Sequence, residues 1–148
     1  MYDITKKKIV WFYQFINNMI TEKDYCDKEL SATLIEMGFK GFGHFYYGKD
    51  SSKLKATHQF LTTRTAKALN LTLAVSLYEA QKWLREEKNI IVEVFIDDDS
   101  DTPITYNIYK DRECVCHHNG KYWSVKEWSE ALLEGIKAAV KLLKEERK

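Results

Sequence analysis

Three short stretches of this chain carry residue types that could do chemistry. The densest set of metal-ligand types is Cys114-Val115-Cys116-His117-His118. On a strand, alternate side chains share a face, so Cys114, Cys116 and His118 would offer zinc a three-ligand edge. A fourth ligand would have to come from Cys26, His44, His58 or an acid elsewhere. Structural zinc sites usually come as two separated pairs, and here there is one cluster, which reads better as small semi-buried thiols beside a hairpin turn with exposed histidines. The second stretch, Asp97-Asp98-Asp99-Ser100-Asp101, places oxygens at alternate positions as calcium loops do. It has Thr102 and Ile108 where such a loop needs glycine and glutamate, so it reads as a solvated acidic turn.

The third stretch is Lys40-Gly41-Phe42-Gly43-His44-Phe45-Tyr46-Tyr47. It is similar to the basic, glycine, aromatic pattern with which RNA-recognition strands stack bases. Lys40, Phe42, Phe45 and Tyr46 are its candidate nucleic-acid contacts. His44 departs from the pattern, and two helical segments precede the stretch where that fold needs a strand, a helix and a strand. The competing reading is a core strand whose aromatics fill space. Nucleophile elbows, phosphate loops, dinucleotide fingerprints and paired metal histidines are all missing from the sequence. No catalytic residue and no cofactor is expected.

The elements around these stretches follow from periodicity. Residues 5–22 read as a helix, with Ile9, Phe12, Ile16 and Met19 on one face. Trp11 and Phe15, four apart, lie together on another side of that helix and are the candidate partner-binding pair. A second helix runs from Asp27 as N-cap to Met37, stopped by Gly38. A strand follows over 39–47, then a long loop to about residue 67 with a turn near 49–51, and an extended piece over 69–75. Ser76 and Glu79 have capping-box spacing at the head of a helix, and Ser124 and Glu127 repeat it. Between them, alternation over 90–96, 104–109 and 113–117 gives three strands joined by short turns. The closing helix carries Val125, Trp128, Leu132, Ile136, Ala139 and Leu143 on one stripe, and Trp83, Leu84, Trp128, Leu132 and Ile136 are the expected core. The expected fold is α+β, an antiparallel curved sheet of three to four strands packed with helices, in the order α-α-β-α-β-β-β-α.

At 148 residues the chain fits a single domain, 1–148, with helix 5–22 as a peripheral or interface element. Its 23 Lys and Arg nearly cancel its 22 Asp and Glu, so no global field draws it to nucleic acid or to an acidic membrane. No apolar run approaches the ~20 residues that cross a bilayer. The lysines at 6–8 precede an apolar stretch without a cleavage site, and three cysteines cannot all pair, which together suggest a cytoplasmic protein.

Four segments carry a family resemblance: Glu36-Met37-Gly38-Phe39, Phe45-Tyr46-Tyr47, Leu77-Tyr78-Glu79-Ala80-Gln81-Lys82-Trp83-Leu84-Arg85-Glu86, and Glu130-Ala131-Leu132-Leu133-Glu134-Gly135-Ile136. In order and spacing, over roughly residues 26–143, they resemble uncharacterised small proteins of phages, prophages and gut bacteria. The added N-terminal helix and the stretch from 49 to 67 depart from that group. The resemblance implies an accessory protein of a mobile element and carries no site residues. The leading expectation is thus a non-catalytic protein-interaction module that binds a partner or itself. A nucleic-acid-binding module using residues 40–47 is the alternative, and a small metal-dependent enzyme the third reading.

Overall fold

A computed structural model describes residues 6–8, 10–11, 22–117 and 120–147. Residues 6–8 and 10–11 are helical; the rest of the expected first helix, Phe15 included, lies outside the described residues. The mixed α+β class holds, with two antiparallel three-stranded sheets in place of one. The chain divides into two compact units, Met1–Val75 and Ser76–Lys148.

In the first unit, helix α1 (Lys28–Glu36) starts where Asp27 accepts the Leu30 N–H at 2.8 Å. It stops at Met37, and Gly38 follows at φ +107°, a conformation that side chains resist. Strand β1 (Phe42–Tyr47) is the middle strand, between β2 (Leu54–Thr62) and the short β3 (Thr72–Leu73). Both of its edges are paired, and from Phe45 onward aromatic side chains pack to either side of it. Phe45 and Tyr47 pack with Ala74, Tyr25, Leu54 and Ala56, while Tyr46 packs against a second cluster built on Leu61, Ala66 and Leu73.

The stretch expected as a loop is strand β2 followed by a six-residue helix, α2 (Thr63–Ala68), capped by Thr62 and Thr65. Two features hid β2. As an edge strand it buries only Leu61 fully, so it lacks apolar alternation. It also contains an insertion: Gly43 pairs with Leu61 but Phe45 with Ala56, leaving three more residues on β2 than on β1.

In the second unit, the capping box at Ser76 and Glu79 forms and starts α3 (Leu77–Lys88). The expected meander is present as β4 (Ile90–Ile96), β5 (Ile104–Lys110) and β6 (Glu113–His117), in the order β4-β5-β6. Val92 pairs with Ile108 and Ile96 with Ile104. Helix α4 (Trp128–Glu146) follows a single 3-10 turn, at whose head Glu127 accepts the Ser124 N–H at 2.8 Å. Both helices pack on this sheet. The buried stripe of α4 is Ala131, Gly135, Ile136, Ala139, Val140 and Leu143.

That stripe corrects the expected core. Trp83, Leu84 and Ile136 are buried, but Leu132 is half-buried, Val125 is exposed, and Trp128 stands 43% exposed. The difference is one of rotation. Small residues at 131, 135 and 139 let the helix sit close to the sheet, and this turns Trp128 outward.

Candidate nucleic-acid interface

The first unit contains an arrangement that the linear pattern shows only in part. Phe42 opens β1 opposite Thr62, and Phe60 directly follows the insertion in β2. Their rings lie 4.9 Å apart, tilted by 33°. Phe42 is 63% exposed and Phe60 is 56% exposed. His44 meets Phe60 edge-on at 5.7 Å. Packed aromatic pairs are ordinary in a core, where burial drives them; two neighbouring phenyl rings left in water form a platform.

Beside this platform is a cleft of about 440 Å³ lined by Lys40, Gly41, Phe42, Thr62, Thr63 and Arg64. The Thr63 N–H donates to the Gly41 carbonyl at 3.1 Å, which ties the start of α2 to the entry of β1. Lys40 and Arg64 are thereby set around the same cleft and are both exposed. Residues 40–75 hold six Lys and Arg (40, 49, 53, 55, 64 and 67) against the single acid Asp50. Over the two units the balance is 11 basic against 7 acidic residues in the first, and 12 against 15 in the second. The overall charge of +1 conceals this asymmetry.

Phe42 and Lys40 meet at this surface, but Phe45 and Tyr46 do not. Phe45 is only 8% exposed and belongs to the core, and Tyr46 is half-buried on the Leu61 cluster. Sequence reasoning missed Phe60 and Arg64. The signals that could have found them are the lone aromatic in a polar stretch and the six-to-one charge bias around it.

The other two candidate stretches look different. Cys114 is exposed and Cys116 half-buried, while His118 lies outside the described residues. Tyr109 pairs with Cys114 and Ile108 with Cys116, a bulge that breaks the simple alternation on β6. Among the described residues no group of three or more His, Cys, Asp or Glu could hold a metal. In the acidic turn, Asp97 accepts the Tyr122 hydroxyl at 2.8 Å and Asp98 accepts the Ser100 N–H at 2.8 Å. Hydrogen bonding from the Ser100 side chain foremost, then from its backbone N–H, holds the Asp98 carboxyl below the usual range, and the bond to Asp97 raises the Tyr122 phenol. Trp11 is 63% exposed and its neighbour Val10 is also exposed.

No family model matches the sequence, and comparison with curated proteins and with solved structures gives no match. Function is therefore read from the surface. Among the described residues no helix is long and apolar enough to cross a membrane.

Proposed function

We propose that the protein is a non-catalytic binding module whose first unit holds single-stranded nucleic acid. The observation that carries this is the exposed Phe42–Phe60 pair beside a cleft flanked by Lys40 and Arg64. Base stacking on an aromatic ring tolerates any sequence, because every base has a π-face, and nearby cations hold the backbone. A duplex would keep its bases stacked internally and leave the platform unused.

The test is fluorescence anisotropy with labelled oligonucleotides, single-stranded and duplex, across a salt series. Phe42→Ala should weaken single-strand binding by about 5- to 150-fold, the range for removal of one stacking ring. The Lys40→Ala, Arg64→Ala double variant should flatten the dependence of log K on log salt by about 1.4, or ~0.7 for each phosphate no longer neutralised. Equal affinity for duplex, or no binding at about 50 mM salt, would refute the reading. The exposed Trp11 favours a second reading, a protein contact through the N-terminal segment. Sedimentation of the wild type and of Trp11→Ala tests it, since loss of self-association in the variant is the expected result.

A further inference from the structure

The three-residue insertion in β2 is where the first sheet breaks its register, and it sits directly before Phe60. Inserted residues in an edge strand have no ladder partner and would ordinarily wander. Here they are held. Nδ1 of His44, on the middle strand, lies 3.2 Å from the carbonyl oxygen of Thr57 and 3.2 Å from that of Gln59. Both of those atoms are acceptors only, so Nδ1 must carry the proton and donate to both. The insertion adds one internal bond, from the Gln59 N–H to the Thr57 hydroxyl at 3.2 Å. The same imidazole then meets the Phe60 ring edge-on.

The geometry points to His44 as a positioning residue for the binding platform: it fixes the β2 insertion so that Phe60 stays against Phe42. This rests on the proposed single-strand reading, and it assigns His44 no contact with the nucleic acid. Without the two bonds the backbone before Phe60 is untied from the middle strand at the register break, and the ring is free to leave its partner. A single phenyl then replaces a two-ring platform. The alternative is that His44 merely satisfies a bulge and that Phe60 is held by its packing on Phe42.

The variants that separate these are His44→Phe, which keeps a flat ring and strand preference but has no donor, and His44→Asn, whose amide nitrogen can replace Nδ1. Two readouts are needed. The first is NMR: amide exchange over residues 57–60 and the Phe42–Phe60 ring NOE. His44→Phe should speed exchange by about ten-fold, the range for loss of such bonds, and should erase the NOE, while His44→Asn keeps both near wild type. The second is oligonucleotide affinity. His44→Phe should lose as much as Phe60→Ala, roughly five-fold or more, and the double variant should lose no more than either alone. If His44→Phe retains the ring NOE and slow exchange, the inference is overturned. If the wild type binds no oligonucleotide, the nucleic-acid reading falls, and the NMR readout still decides the role of His44.

Discussion

At Gly135 α4 packs directly against its sheet, and replacing this residue with alanine is a direct test of that seat. A Cβ built there would lie 2.6 Å from Cγ1 of Val92 and 3.3 Å from Cγ of Tyr106. Carbon atoms pack best at about 3.5–4.0 Å, so the new methyl is nearly 1 Å too close to Val92. Neither neighbour yields easily, because valine on a strand is stiff at χ1 and the Tyr106 ring is buried. Overpacking of this kind costs about 1–3 kcal/mol. Alanine recovers about 0.5–1 kcal/mol by its better helix propensity. The net loss therefore lies between about 0 and 2.5 kcal/mol, centred near 1 kcal/mol, and a central value lowers the urea midpoint by roughly 0.5–1 M. The decisive comparison is a double-mutant cycle. In a Val92→Ala background the obstructing methyl is gone, and Gly135→Ala should become neutral or stabilising, giving a coupling above about 1 kcal/mol. A coupling near zero, with Gly135→Ala costing the same whether or not Val92 is intact, would show that the helix does not rest on the sheet at this residue.

Tyr47→Phe should cost about 1 kcal/mol, because the buried Tyr47 hydroxyl donates to the Cys26 carbonyl at 2.7 Å. Burial foremost, then the nearby Cys26 and acidic charges, raises the Tyr47 phenol above its ordinary value of 10.0. The folded state thus holds this proton where the unfolded chain releases it, so stability is complete below about pH 10 and falls above it. Denaturation curves between about pH 9 and 11 should show a steeper alkaline loss for the wild type than for Tyr47→Phe; equal slopes would contradict the assignment. Ser76→Ala should cost about 1 kcal/mol by removing the hydroxyl that accepts the Glu79 N–H at 3.1 Å, measured by thermal melting.

Much of the second unit was legible in the sequence because its signals are local and agree with one another. The Ser76 and Glu79 box, the unbroken run from Ile90 to Ile96 and the turns between strands each specify one element, and adjacent elements pair. The face of α4 was less legible. Periodicity marks an apolar stripe but not which edge of it is pressed to the sheet, and Gly135 with Ala131 and Ala139 settled that against Trp128. In the first unit, β2 escaped notice since an edge strand with an insertion shows neither alternation nor a continuous apolar run. For the candidate site, Phe42 and Lys40 were visible in the glycine-aromatic pattern. Phe60 and Arg64 were not, since they reach it only through the pairing of Phe42 with Thr62.

The same is true of Ser31 and Cys26. Nothing in a helical pattern marks Ser31, yet its hydroxyl is fully buried, donating to the Cys26 carbonyl at 3.3 Å and accepting the Val75 N–H at 3.2 Å. The Cys26 N–H in turn donates to the Val75 carbonyl at 2.8 Å. Residues so far apart in sequence meet only when the fold closes the long loop between them; here hydrogen bonding joins the beginning of α1 to the last residue of its unit.

The corner where α3 ends and the β5–β6 hairpin turns has a practical consequence for anyone who labels this protein. Asn89 ends α3 at φ +54°, and its amide donates to the carboxylate of Asp111 at the hairpin tip. Asp111 and Arg112 form that tip with φ of +50° and +72°, left-handed values that glycine usually supplies. Backbone conformation and a side-chain tie thus converge on one small region, leaving no slack for added chain. A fluorophore or an epitope inserted at 111–112 would disturb both the helix end and the strand register. The turn carrying Asp99 and Ser100 is exposed and lies between β4 and β5, and it is the better place to lengthen the loop.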